Sequence, residues 1–124
     1  MRILSVLSLL LFMSLASAVP VIAGTVYDNG PINGNVDAWT INFGFVTSDS
    51  FTVSSGRTTI TGLSFGAWLF PGDVLGSVEV SMTSDVDGGT TYFDGVVNLS
   101  ASGCVGNQFE FNVCTESGMF AGPR

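Results

Sequence analysis

The stretch that decides the fold is Ile60 to Met82, with the sequence ITGLSFGAWLFPGDVLGSVEVSM. In two parts of it, apolar side chains occupy every second position, the period that places them on one face of a β-strand. These positions are Leu63, Phe65, Ala67 and Leu69 in the first part and Val74, Val78, Val80 and Met82 in the second. Pro71-Gly72-Asp73 lies between them and has turn chemistry, because proline fixes φ and glycine accepts a positive φ. The sequence therefore predicts two strands joined by a short turn.

Similar short alternating segments occur on both sides of this pair. They predict further strands at Thr25–Tyr27, Trp39–Phe45, Phe51–Val53, Thr91–Leu99 and Phe109–Val113. Ala101 to Gln108 reads as a loop. Turn signals recur about every ten residues, a spacing typical of all-β sandwiches, and no helical period of useful length is present. We therefore expect an all-β fold, an antiparallel β-sandwich of jelly-roll type.

The N-terminal residues 1–18 have the pattern of an export signal. Arg2 provides a positive start, Ile3 to Leu15 is an apolar run, and Ala16-Ser17-Ala18 is a small-residue cleavage site. A membrane anchor is the alternative, but the run is shorter than the roughly 20 apolar residues that span a bilayer. The sequence predicts a signal peptide over 1–18 and one domain over 19–124. The mature protein would be secreted, extracellular or periplasmic, and free of the membrane.

The charge balance excludes several classes of function. The 124 residues include ten acidic and three basic residues, no histidine, and a formal net charge of −7. Such a surface repels nucleic acid and anionic lipid. Without histidine or lysine the chain lacks the usual activated nucleophiles. A glycosidase-type carboxylate pair remains as a third alternative, with candidates Glu79, Asp94, Glu110 and Glu116. Their spacing identifies no acid–base pair, so we expect no enzyme activity.

The two cysteines, Cys104 and Cys114, predict one disulfide. An exported chain matures in an oxidising compartment, where an even number of cysteines pairs. A zinc site is a weaker alternative, because zinc needs more ligands than two thiolates.

An acidic loop provides a candidate calcium site at Asp85, Asp87 and Asp94. Alternate loop carboxylates can converge on calcium, which needs six to eight oxygen ligands. The alternative is a plain turn held by Asx hydrogen bonds, and the sequence favours it because only part of the ligand shell is present. No other cofactor is indicated.

The aromatic residues Trp68, Phe70 and Tyr92 are candidates for stacking on sugar rings. Trp39 shares the phase of Ile41 and Phe43, so we expect it in the core. Trp68 and Phe70 differ in phase from the apolar face of their strand, which leaves them either exposed or packed between two layers. Large aromatic side chains dominate small cores, and this favours burial of Trp68 and Phe70.

Several segments resemble exported bacterial proteins of the PEP-CTERM type, whose functions are mostly unassigned. The resemblance rests on YDNGP (27–31), DAWTI (37–41), SDSF (48–51) and FGAWLFPGD (65–73), and it covers nearly all of the mature chain. SDSFTV (48–53) and TITGLSF (59–65) also resemble jelly-roll modules related to carbohydrate-binding domains. Proteins of this group usually continue with closing strands and a sorting tail. The present chain stops at Arg124, so we expect a sandwich truncated at its C-terminus.

These observations predict a secreted, non-catalytic extracellular or surface module with a structural or adhesive role. The alternative is a carbohydrate-binding module that uses exposed aromatic rings and calcium. Extracellular polysaccharide or other surface proteins are the expected partners.

Overall fold

The computed structural model describes residues 24–53, 59–86 and 88–120. These residues form five strands and no helix: β1 Gly62–Leu69, β2 Ser77–Asp85, β3 Gly88–Asn98, β4 Ser100–Gly106 and β5 Asn112–Met119. The predicted all-β class is confirmed. The predicted signal peptide, residues 1–18, lies outside the described residues.

The strands form two antiparallel sheets. The three-stranded sheet has the order β1-β5-β4, and the two-stranded sheet consists of β2 and β3. β5 is the central strand of the larger sheet, where Gly62 of β1 lies opposite Met119 and Ser100 of β4 lies opposite Ser117. The C-terminal strand is therefore held on both sides, by a strand about fifty residues earlier in the chain and by its immediate predecessor.

The turn predicted at Pro71-Gly72-Asp73 is present, but the two strands that it joins lie in different sheets. The Asp73 N–H donates to the Phe70 carbonyl over 2.9 Å, and Gly72 has a φ of 96°. Only glycine adopts that conformation without steric cost. β1 nevertheless pairs with β5 and β2 pairs with β3. Residues 70–76 therefore carry the chain from one sheet to the other.

The chain returns to the first sheet at Leu99. β3 and β4 are separated only by this residue, yet β3 pairs with β2 while β4 pairs with β5. The Leu99 N–H donates to the Gly76 carbonyl over 2.9 Å, so the two crossings between sheets are bonded to each other. The expectation of a loop over 101–108 is wrong, because residues 100–106 obtain a pairing partner in β5.

The two sheets contact each other where β3 crosses β5. Val97 is only 2 % exposed, and a Cβ added to Gly118 would lie 2.8 Å from the Asn98 carbonyl oxygen. Glycine is thus required for this close approach. The Phe93 and Phe120 rings add a stacked contact at 4.5 Å.

The core of the described residues is small and contains one carboxylate. Its buried apolar residues are Ala67, Val97, Val113 and Cys114. Glu116 of β5 has an exposed fraction of 0 %, and neither carboxylate oxygen has a hydrogen-bond partner in the described part of the chain. Its cross-strand neighbours are Phe65 and Ala101, which offer no polar side chain.

Residues 24–53 do not form the strands that the sequence predicts at Thr25–Tyr27, Trp39–Phe45 and Phe51–Val53. Trp39 is 83 % exposed, so its expected place in the core is also wrong. For Trp39–Phe45 the physical reason is a local reversal: Phe43 has a φ of 55°, and the Phe45 N–H donates to the Asn42 carbonyl over 3.1 Å. That turn ends the alternation before it can pair with a sheet.

Part of this segment still packs on the larger sheet. A Cβ on Gly66 would lie 2.5 Å from Ile32 Cγ2, and a Cβ on Gly34 would lie 2.9 Å from Val113 Cγ2. Residues 32–34 therefore cover the face of the sheet that points away from β3.

Candidate binding groove

The turn between β4 and β5 is built around the side chain of Asn107. Its Oδ1 accepts hydrogen bonds from the Phe109 and Phe111 N–H groups, both at 3.0 Å. The Asn107 N–H donates to the Phe111 carbonyl over 2.9 Å. A short amide side chain suits this task, because it reproduces the hydrogen bonds of a backbone turn. Asn107 thus fixes the directions from which Phe109 and Phe111 leave the turn.

The Cys104–Cys114 disulfide closes the same hairpin, as the sequence predicted. β4 has an irregular register between Ser102 and Val105, and Cys104 lies in that irregular part, next to Gly103 with a φ of 61°. Closing a loop of this size contributes about 2–3 kcal/mol in the chain-entropy model. The crosslink therefore keeps β4 and β5 together at the end that carries the turn.

Four aromatic rings pack against each other beside this turn; we call them the aromatic shelf. The shelf consists of Trp68, Phe70, Phe109 and Phe111. The Trp68 ring centroid lies 5.5 Å from that of Phe109 and 5.8 Å from that of Phe111. Phe70 lies 4.8 Å from Phe111. These distances are typical of favourable aromatic pairs.

Strand register explains why these four rings meet. Trp68 lies opposite Val113 in the β1–β5 ladder, and Phe70 continues the same face of β1 beyond the strand end. Phe111 has the phase of Val113, so its ring lies on the face from which Trp68 and Phe70 project. The turn places the Phe109 ring against Trp68 on the same face. Trp68 is half-buried, whereas Phe70 is 64 % and Phe109 is 49 % exposed. The shelf thus has a packed base and two accessible rings.

An open groove of about 520 Å³ lies along the shelf; we call it the aromatic groove. Phe70 and Pro71 form one side, and residues of the turn between Gly106 and Asn112 form the other. Glu110 is the single charged residue among the described residues that line this groove. It has a φ of 64°, a left-handed conformation that is costly for a residue with a side chain. Strained backbone conformations of this kind are common at functional sites.

Of the predicted sugar-stacking residues, Trp68 and Phe70 belong to the shelf and Tyr92 does not. Tyr92 lies on β3 in the other sheet, is 51 % exposed, and makes no ring contact within the described residues. Trp68 is neither fully exposed nor fully buried. It is half-buried, and its ring packs against those of Phe109 and Phe111.

Sequence reasoning missed Phe109 and Phe111 as members of the site. It assigned them to a strand over Phe109–Val113, but β5 begins only at Asn112. The signal that would have found them is Asn107, whose side chain holds a turn, inside a loop closed by two cysteines.

The predicted calcium ligands are only partly described. Asp85 ends β2 opposite Gly88, and Asp94 lies opposite Ser81, while Asp87 lies outside the described residues. Within the described ranges, no three or more carboxylate or cysteine side chains form a cluster that could hold a metal ion. The calcium site therefore stays a prediction.

The four carboxylates considered for glycoside hydrolysis lie in different environments. Glu110 lines the aromatic groove, and Glu116 is fully buried and inaccessible to a substrate. Glu79 and Asp94 are exposed on β2 and β3 of the other sheet. Glu110 is thus the one carboxylate of the four that reaches the groove.

Comparison of the chain with protein-family models, with curated proteins and with solved structures finds no match. Within the described residues, no helix has the length and apolar character needed to cross a membrane.

Proposed function

We propose that this chain is a non-catalytic extracellular or surface module that adheres to polysaccharide through its aromatic shelf. The observation that carries the proposal is the pair of accessible rings, Phe70 and Phe109, seated on the packed rings Trp68 and Phe111 beside an open groove. An accessible aromatic ring can pack against the apolar face of a sugar ring, and a preorganised surface loses little entropy on binding.

The turn chemistry supports adhesion rather than catalysis. Asn107 and the disulfide hold the groove wall in place, which favours binding without rearrangement. Hydrolysis of a glycosidic bond needs two carboxylates flanking the bond, and Glu110 is the one carboxylate that the described residues place in the groove lining. The polysaccharide should therefore be recovered intact after incubation with the protein.

The remaining expectations belong to the same proposal. A disulfide-bonded β domain suits an extracellular or periplasmic location. Two antiparallel sheets in contact at Val97 and Gly118 suit a sandwich, with the jelly-roll topology as its proposed form. The resemblance to exported proteins of the PEP-CTERM type stays a prediction.

Phe70→Ala tests the proposal, with Phe45→Ala as a matched control. Both phenylalanines are 64 % exposed, but Phe45 lies outside the shelf. The exported protein is incubated with insoluble polysaccharides, and the bound fraction is measured together with any sugar released. We expect Phe70→Ala to weaken binding about tenfold, as loss of a ring at the centre of a contact does, and Phe45→Ala to bind like the wild type.

Equal binding by Phe70→Ala and wild type would overturn the proposal, as would the absence of binding to every polysaccharide tested. In the second case, a purely structural role would remain. The same measurement with and without a calcium chelator tests the predicted ligands Asp85, Asp87 and Asp94. Loss of binding on chelation, restored by calcium, would support that site.

A further inference from the structure

A second groove lies on the same side of the larger sheet as the aromatic shelf. It has a volume of about 280 Å³. Residues 32–35 form one side, and the β4–β5 hairpin forms the other with Gly103, Val105, Val113 and Thr115. In the part of the chain that the structure describes, its lining contains two asparagines from the loop and no charged residue. We call it the amide groove.

The two grooves are adjacent and share one residue pair. Gly106 and Asn107 line both of them. Asn107 Nδ2 donates to the Gly34 carbonyl over 3.4 Å, while its Oδ1 holds the β4–β5 turn. The same side chain therefore ties the loop of one groove to the wall of the other, which fixes their relative placement.

The amide groove presents polar groups that the protein itself does not use. The Asn35 side-chain amide and the Thr115 hydroxyl have no hydrogen-bond partner within the described residues. Asn33 is occupied, because its Oδ1 accepts from the Asn35 N–H over 3.1 Å. An amide and a hydroxyl both donate and accept hydrogen bonds, as sugar hydroxyls do. The amide groove is thus suited to the edge of a sugar ring, whereas the aromatic groove is suited to its face.

Charge restricts the ligand further. Among the described residues that line the two grooves, Glu110 is the one charged group, and the whole chain has a formal charge of −7. A carboxylate or sulfate on the ligand would therefore be repelled both by Glu110 at short range and by the field of the protein.

We infer that the two grooves form one extended site for an uncharged oligosaccharide of at least two linked units. One unit stacks on Phe70 and Phe109, and the next bonds to Asn35 and Thr115. This inference rests on the proposed function. The aromatic groove alone has the volume of an ordinary small-molecule site, and the amide groove alone falls just below that range. A ligand that engages both gains contacts that a single sugar cannot make.

The test is a ladder of linear β-1,4-linked glucose, xylose and N-acetylglucosamine oligomers, from the monosaccharide upwards, titrated by calorimetry against the exported protein. We expect affinity to rise about tenfold or more between the monosaccharide and the disaccharide or trisaccharide and then to level off. Asn35→Ala should remove most of this rise. Phe70→Ala should weaken every member of the ladder.

Asn42→Ala is the matched control, because Asn42 is exposed and lies outside both grooves. Oligomers of uronic acid test the effect of ligand charge. They should bind at least about tenfold more weakly than neutral oligomers, and Glu110→Gln should reduce this difference in affinity. Circular dichroism melts of all variants confirm that each is folded.

The outcomes separate this inference from the function on which it rests. If no oligomer binds, both fail. If the sugars bind and depend on Phe70 but affinity is independent of length, or if Asn35→Ala behaves like Asn42→Ala, the aromatic site stands and the extended site is wrong. Equal affinity for neutral and uronic-acid oligomers would overturn the stated ligand class.

Discussion

Two segments of this chain have the same apolar alternation but different structures. In β1, Gly62–Leu69, every residue is paired with β5, and Trp68 is half-buried against two phenylalanine rings. The segment Trp39–Phe45 alternates as regularly, yet it forms no strand and leaves Trp39 83 % exposed. The tryptophan is the common element, and its surroundings are what differ.

The difference shows that alternation determines a face but not a partner. A strand exists only when its backbone N–H and C=O groups find another strand, since unpaired groups have to remain in water. β1 has β5 as this partner. The other segment instead bends at Asn42–Phe45, where Phe43 and Gly44 both have a positive φ. A turn therefore replaces the ladder.

The largest expected effect comes from replacing Trp68 by alanine, with the same substitution at Trp39 as the comparison. Trp68→Ala removes the base of the aromatic shelf and should lower the free energy of unfolding by about 2–3 kcal/mol, somewhat less than a fully buried aromatic. Trp39→Ala removes an exposed ring and should change it by less than about 0.5 kcal/mol. Chemical denaturation of both variants measures the two values.

Equal losses in the two variants would contradict the comparison, because they would require Trp39 to be packed as well as Trp68. Tryptophan fluorescence gives an independent check. With Trp39 as the remaining fluorophore, emission should be close to that of a solvated indole, and with Trp68 it should be shifted to the blue.

Replacing the buried carboxylate of Glu116 should have a smaller effect on the free energy of unfolding. Glu116→Met keeps the side-chain volume and removes a polar group that has no hydrogen-bond partner in the described residues. It should raise the free energy of unfolding by about 1–3 kcal/mol, because a buried unpaired carboxylate is costly. Thermal and chemical melts measure this gain.

Glu79→Met is the matched control for that prediction. Glu79 is exposed on β2, so its replacement should leave stability within about 0.5 kcal/mol. A loss of stability in Glu116→Met would mean that the carboxylate has a partner that stabilises it, and would reverse the interpretation of the core.

The smallest effect concerns a contact inside residues 24–53. The Tyr27 hydroxyl donates to Asp49 Oδ2 over 2.7 Å, and the Tyr27 ring stacks on Phe51 at 5.2 Å. The hydrogen bond to Asp49 raises the pKa of Tyr27, with smaller contributions from desolvation and from the negative charges of Asp49 and Asp28. Asp49→Asn should therefore lower the pKa of Tyr27 toward its ordinary value. Absorbance titration of tyrosinate measures it, with Tyr92→Phe as the background that leaves one tyrosine.

The pH dependence of this contact follows from the two shifts. The raised pKa of Tyr27 means that its stabilisation is complete below the ordinary tyrosine pKa and is lost as pH rises through the raised value. The hydrogen bonds from Tyr27 and from the Ser50 N–H lower the pKa of Asp49. Its stabilisation is present above the ordinary aspartate pKa and is lost as pH falls through the lowered one. An unchanged Tyr27 pKa in Asp49→Asn would show that the contact is absent in solution.

The fold class, the turn at Pro71-Gly72 and the disulfide were predictable because each depends on residues close together in the sequence or on the count of cysteines. The pairing of β1 with β5 was not, because it joins residues about fifty positions apart and alternation is the same for every partner. Because alternation does not identify a pairing partner, the predictions of a strand at Trp39–Phe45 and of a loop at 101–108 were also wrong.

The site was predictable to the extent that it depends on strand phase. Trp68 and Phe70 could be selected because both differ in phase from Leu63 and Leu69. Phe109 and Phe111 could not, because a turn rather than a strand brings them to the shelf. The burial of Glu116 was equally hidden, since a carboxylate in an alternating segment normally faces solvent.

The hydrogen bonds of Asn107 hold the turn of this hairpin without using the side chains that follow it at positions 108 and 109. The turn is held by that one side chain, by backbone groups and by the disulfide, whereas Phe109 contributes only its N–H to these bonds and the exposed Gln108 contributes nothing. Substitution of Phe109 therefore alters the wall of the aromatic groove while the hydrogen bonds that hold the turn persist. The hairpin is a place where natural variation, or a mutant library, would change the surface of the aromatic groove without removing the hydrogen bonds that hold the turn.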